Sequence, residues 1–322
     1  MKTAIRWYAP RLGLILAPLL LILSGCIVVN SSDNRPGTVA GSGSHADTPL
    51  VYSTFNTATG RHQVHWINLD GGHERALTDG WNPHVSPDGS ALAFQRDGNY
   101  PAGKDDHLYV LDFATNGETK VMDGTDYLVG SSWTNDSQAL VFDELCSLGR
   151  VNRDGSGAIS LRDKHCYDDS PSVNPVSGRI AFHNAAADAG GLWTMNADGG
   201  EAARIPGSSL GDAWPAWSPD GQWISFLRTN GQDLDKGVLY RVRPNGGDLG
   251  PLLAMTLDAN TYVRPTAGWT RDGRGVVAAM VNQGQASVRL VATDGSGNSS
   301  LIPVPVPEQV DFVGNTLDAS SR

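Results

Sequence analysis

Six stretches of this chain set an aspartate beside an aromatic ring, and these are its residues best suited to chemistry. They are Asp79 with Trp81, Asp126 with Tyr127, Asp168 and Asp169 with Tyr167, Asp212 with Trp214, Asp258 with Tyr262, and Asp311 with Phe312. A carboxylate beside a ring suits a basic peptide segment, through ion pairing and cation–π contact, or a sugar that stacks on the ring face. The same residues have a structural use. The aspartates can accept backbone N–H groups at strand starts while the rings pack between sheets. Both uses stand open at this level.

Other chemistry finds less support. The histidines, His45, His62, His65, His73, His84, His107, His165 and His183, are scattered rather than spaced as metal ligands. Asp105-Asp106 and Asp233-Leu234-Asp235 carry carboxylates but lack the ligand number and glycine of an EF-hand loop. There is no phosphate-cradling loop and no Cys-x-x-Cys pair. The expectation is a binding protein without catalytic residues, metal or cofactor.

Two markers recur along the chain and define the elements that must position these residues. The first is a turn followed by an apolar pair at period two: Val85-Ser86-Pro87-Asp88-Gly89 with Leu92 and Phe94, then Trp133 to Ser137 with Leu140 and Phe142. It returns as Val173 to Ser177 with Ile180 and Phe182, Trp217 to Gly221 with Ile224 and Phe226, and Trp269 to Gly273 with Val276 and Ala278. The second is a hairpin turn, Asp70-Gly71, Asn116-Gly117, Asp154-Gly155, Asp198-Gly199, Asn245-Gly246 and Asp294-Gly295. These turns recur about every 45 residues, the length of four short antiparallel strands with their loops.

The spacing predicts an all-β, six-bladed propeller of four-stranded blades over residues 49–322. Five turn motifs against six hairpins leave the first blade short of its innermost strand. Residues 309–315 are expected to supply it and close the ring. In this arrangement the connections between blades share one face with the turns between second and third strands. The predicted funnel site on that face comprises Trp81, Asp126, Tyr127, Tyr167, Asp168, Asp169, Asp212, Trp214, Tyr262 and Asp311.

The Trp-Ser-Pro-Asp-Gly-x-x-Ile-x-Phe pattern of residues 217–226 resembles the repeats of TolB-like propellers, which also occur in prolyl oligopeptidase-type and oligogalacturonate lyase propellers. The resemblance spans about residues 50 to 315. It implies a scaffold or binding role in an envelope assembly, with a protein or glycan partner. The enzymatic alternative it implies is a polysaccharide lyase with manganese held by clustered histidines. TolB carries an N-terminal α/β domain, whereas this chain has only a short polar stretch before the repeats.

That stretch follows a basic and then apolar N-terminus. Lys2, Arg6 and Arg11 precede an apolar run, residues 12–23, too short for a permanent membrane span. Leu23-Ser24-Gly25-Cys26 resembles the lipobox of bacterial lipoproteins, which implies a signal peptide at residues 1–25 and a lipidated Cys26 as the mature N-terminus. An uncleaved anchor with an incidental cysteine is the other reading. Ile27 stands where inner-membrane lipoproteins of the resembled kind carry Asp, so outer-membrane attachment facing the periplasm is expected. Residues 26–48, rich in Ser, Gly, Asn and Asp, read as a flexible tether.

The whole chain has 24 Lys+Arg against 34 Asp+Glu, a net charge of −10, and cleavage would make it more negative. Such acidity opposes nucleic-acid binding and leaves the lipid as the membrane attachment. A monomer is expected. With Cys26 lipidated, Cys146 and Cys166 form an even pair in an exported protein, and a disulfide follows.

Overall fold

A computed structural model describes residues 48–305 and 310–316, apart from 57, 98–105, 125–127, 129, 145, 164, 189, 232 and 235. Signal segment, Cys26 and tether lie outside the described residues. Among the described residues all regular structure is strand apart from turns and bends, and no helix is long and apolar enough to cross a membrane.

The first sheet is β1 (Pro49–Asn56), β2 (Arg61–Asn68) and β3 (Arg75–Asp79). The second is β4 (Trp81–Val85), β5 (Ala91–Asp97), β6 (Asp106–Asp112) and β7 (Gly117–Met122). The third is β8 (Ser131–Trp133), β9 (Ala139–Glu144), β10 (Ser147–Asn152) and β11 (Ile159–Asp163). The fourth is β12 (Asp168–Val173), β13 (Ile180–Asn184), β14 (Gly191–Met195) and β15 (Ala203–Arg204). Then follow β16 (Asp212–Trp217), β17 (Ile224–Thr229), β18 (Gly237–Val242), β19 (Gly250–Pro251), β20 (Tyr262–Trp269), β21 (Gly275–Asn282), β22 (Gln285–Ala292) and β23 (Ser299–Ile302). Last comes β24 (Val310–Thr316), which adds to β1 antiparallel, with Tyr52 opposite Val313.

The expected six separate blades need correction. Four separate four-stranded sheets are present, and β16 to β23 form a single eight-stranded sheet. The joint is one pairing, Gly237 with Val263, which links β18 to β20 while the two-residue β19 covers only Tyr240 and Arg241 of β18.

Both sequence markers have clear physical causes. In the first, a hydroxyl and a carboxylate lock the turn: Ser86 Oγ donates to Asp88 at 2.6 Å and accepts the Ala91 N–H at 3.0 Å. Thr134 with Asp136 (2.6 Å), Ser218 with Asp220 (2.5 Å) and Thr270 with Asp272 (2.7 Å) repeat the hydroxyl–carboxylate bond. Two of the motif's tryptophans fasten neighbouring first strands: Trp133 Nε1 donates to His84 O (2.8 Å) and Trp269 Nε1 to Ala216 O (3.0 Å). In the second marker, Gly199 sits at φ 86°, and a Cβ there would come within 2.1 Å of Leu161 O. At Asn116-Gly117 the asparagine itself takes the left-handed angle, φ 55°.

The core lies in the seams between sheets. Val51 and Trp66 pack with Leu92 and Phe94; Ala93 and Val110 with Leu140 and Phe142; Val141 and Leu148 with Ile180 and Phe182. Ala181 and Leu192 meet Ile224 and Phe226, and Leu227 meets Val263 and Trp269. Leu50 and Tyr52 pack with Val277 and Val288, so the first sheet also meets β21 and β22. Side chains of period two thus serve two seams at once, one on each face of a sheet.

Candidate ligand-binding face

Three first strands bulge at the same place. Asn82, Ser170 and Trp214 have φ of 50°, 52° and 57°, each directly before a proline. The register shifts there between Trp81 and His84, Asp169 and Ser172, and Ala213 and Ala216. Proline has no N–H to give the ladder, so the extra residue sits where pairing is already interrupted. Asp143 braces the start of β8 and the bulge of β12: it accepts from Gly130 N at 2.7 Å and Ser170 N at 3.1 Å.

The loops that enter β12 and β16 hold the best-defined charges. Asp168 is fully buried; it accepts from Arg162 Nε at 2.6 Å and Asn184 Nδ2 at 2.5 Å. Asp212 is also fully buried and takes two bonds of 2.7 Å from Arg228, plus Ser209 N at 2.8 Å and Ser209 Oγ at 2.9 Å. The Arg228 guanidinium lies over Phe226 and Tyr240, at 5.6 and 4.7 Å. Arg96 repeats this two strands into the second sheet, over Phe94 and Tyr109 at 5.0 and 4.7 Å, bonding Glu118 and the Asp79 carbonyl. Asp169 accepts from His183 Nδ1, 3.0 Å away.

The predicted aromatics divide. Trp81 stacks on His62 at 5.6 Å, and Trp214 packs against the core of the eight-stranded sheet and donates to Leu234 O at 3.1 Å. Tyr262 lies under the Lys236 ammonium at 5.2 Å. Tyr167 is different, 48 % exposed, and so is Leu210 at 53 %. They occupy successive inter-sheet loops, one residue before Asp168 and two before Asp212. Tyr167 O accepts Ala185 N at 2.7 Å, and the disulfide Cys146–Cys166 adjoins it. That bond ties the β9–β10 turn to the loop before β12.

The structure thus places Tyr167, Asp168, Asp169 and Asp212 at the starts of the neighbouring strands β12 and β16, with Asp168 held from the third sheet by Arg162 and Asp212 held by Arg228 of β17, and leaves Trp81 and Tyr262 elsewhere on the sheets. Asp126 and Tyr127 lie outside the described residues, as does the side chain of Asp311, whose backbone belongs to β24. Asp258 bonds the Asn260 N–H at 2.7 Å, a turn role. Leu210 was not predicted, being neither aromatic nor charged. The arginines were also missed, although Phe-x-Arg at 94–96 and 226–228 was a readable signal.

The remaining histidines are engaged singly. His65 bonds Glu74 (2.7 Å) and Thr54 (3.2 Å), His84 bonds Asn82 (3.0 Å), and His107 approaches Asp123 at 3.6 Å. Among the described residues no three of His, Cys, Asp and Glu converge as a metal-binding group.

No family model matches the chain. A sequence relative, an uncharacterised protein of Agrobacterium fabrum, is 24% identical over 203 residues, covering 60% of this chain and 67% of its own. TolB from Acinetobacter baumannii superposes with a TM-score of 0.67 at 16% identity, over 85% of this chain and 67% of that one. A putative TolB from Agrobacterium tumefaciens gives 0.58 at 16% identity, over 80% and 88%. An oligogalacturonate lyase in complex with manganese gives 0.52 at 18% identity, over 78% and 73%. At these identities the likenesses establish the fold, an all-β propeller. Propellers of one fold serve unrelated activities.

Proposed function

We propose that this chain is a lipid-anchored, non-enzymatic binding module of the cell envelope that takes a protein partner on the loops before β12 and β16. The observation that carries the reading is the exposure of Tyr167 and Leu210 on successive inter-sheet loops, each next to a strand start held by a buried ion pair. Large apolar side chains presented on a fixed scaffold are the usual anchors of recognition. Exposed Asp163, at the end of β11, and Asp188, in the turn between β13 and β14, favour a partner with basic residues, or a glycan that stacks on Tyr167.

The eight-stranded sheet is, in this reading, two blades joined at Gly237 and Val263, which makes six, and β24 closes the ring between the first sheet and β20. The chain enters at Thr48 beside the Asp70-Gly71 hairpin, where Leu69 N donates to Thr48 O. Along the antiparallel strands this is the end opposite the inter-sheet loops. A flexible tether from a lipidated Cys26 in the outer membrane would thus join the propeller at the end away from the loops of Tyr167 and Leu210.

Palmitate labelling and a crosslinking pull-down from envelope fractions test both halves. Label should enter the wild type and be lost in Cys26→Ser; an unlabelled wild type removes the anchor. One envelope protein should be captured by the wild type and lost in Tyr167→Ala/Leu210→Ala with melting unchanged. The fold likeness to the manganese-bound lyase keeps the alternative of a polysaccharide lyase. Release of unsaturated oligogalacturonides by the purified protein supplied with manganese would favour it over the binding module.

A further inference from the structure

The seam beneath Tyr167 and Leu210 contains a histidine that the binding reading does not use. His183 on β13 is 1 % exposed. It shares a face with Ala181, which packs against Ile224 and Phe226, so its ring is turned towards β16 and β17. Its Nδ1 lies 3.0 Å from Asp169, while Nε2 is buried with no hydrogen-bond partner among the described residues.

Three carboxylates act on this ring electrostatically, Asp169 in direct contact and Asp168 and Asp212 from further away. β12 brings Asp168 and Asp169, and β16 brings Asp212; β14 (Gly191–Met195) brings no titratable side chain. Asp168 is answered by Arg162 from β11, and Asp212 by Arg228 from β17. Each of the two arginine-bound aspartates is covalently close to one exposed anchor, Asp168 to Tyr167 and Asp212 to Leu210.

We infer that His183 is a proton-operated pin that, while charged, draws the loops of Tyr167 and Leu210 onto one buried cluster and, when neutral, releases them. Burial works against the imidazolium, but Asp169, Asp168 and Asp212 together outweigh it and raise its pKa above the ordinary histidine value. A group whose pKa is higher folded than unfolded contributes stability that is full below the unfolded value and is lost as pH rises through the folded one. The docking face is therefore firm in mild acid and loosens on the alkaline side.

The test uses the full chain without a partner, so its failure would leave the proposed docking role standing. Deuterium exchange of amides 165–168 and 208–212, corrected for the intrinsic pH dependence of exchange, should rise several-fold across the midpoint read for His183 by NMR. His183→Gln should abolish that step, and Asp169→Asn should move the midpoint down while the step survives. Flat exchange across the wild-type midpoint overturns the inference, as does a step that persists in His183→Gln. If His183→Gln does not fold, the Asp169→Asn arm decides: an unmoved exchange midpoint overturns the inference.

Discussion

Arg228 grips Asp212 through two bonds of 2.7 Å, Nε to Oδ1 and Nη2 to Oδ2, across a carboxylate that has no solvent exposure. The bidentate geometry, with the guanidinium stacked on Phe226 and Tyr240, is specific to arginine. Removing the arginine leaves a buried charge with only Ser209 to meet it. Arg228→Ala should therefore destabilise by about 3 kcal/mol, and Arg228→Lys should recover less than half of this. Urea unfolding of the two variants measures both effects; a loss under about 1 kcal/mol in Arg228→Ala would show the pair to be dispensable.

The C-terminal strand is the second point of vulnerability. β24 pairs with β1 and lies beside β20 and β4, so deleting the last 14 residues removes a strand from the first sheet and exposes its neighbours. The melting transition of the whole domain should drop or broaden. An unchanged thermal melt would mean that the fold does not depend on this strand.

Acid should weaken the fold through His84, whose burial pushes its pKa down to about 4. Its Nε2 lies 3.0 Å from Asn82 Oδ1 beside the bulge of β4. The unfolded chain takes up this proton near pH 6.5 and the folded chain only near pH 4, so stability falls as pH drops between those values. The loss is on the order of 3 kcal/mol. Chemical denaturation at pH 7 and pH 4 should show it, and His84→Gln should shrink the difference between the two.

The disulfide closes a loop with a sequence separation of 20, for which chain-entropy arguments give about 3 kcal/mol. Replacing both cysteines by serine should lower stability by up to that amount and speed exchange at amides 165–168. Calorimetry that finds equal melting for the double variant and the oxidised wild type would limit the bond to a bystander.

Much of this architecture was legible because local chemistry repeats. Phe94, Phe142, Phe182 and Phe226 recur at one offset from a Ser/Thr/Asn turn, and all four are buried. The disulfide was legible by counting. Fusion of β16 to β23 was not, since it rests on one pairing of Gly237 with Val263 and no pattern of residue types announces a single bridge. The site was half legible. Proximity in sequence found Tyr167, Asp168, Asp169 and Asp212, but burial decides which of them face a partner. Asp212 is satisfied by an arginine 16 residues away, while Trp214 turns inward to meet Leu234. Leu210 shows no sequence signal; its exposure comes from its position at the loop tip.

Docking on the Tyr167–Leu210 face is tested most directly by photocrosslinking in intact cells. A photoreactive residue is placed singly at Tyr167, Leu210 and, as a control on the opposite turns, Val176, which is 65 % exposed. The first two positions should crosslink to the same envelope protein and the third should not. Capture at Val176 equal to that at Tyr167 and Leu210, or no product at either of those two, would contradict the docking face.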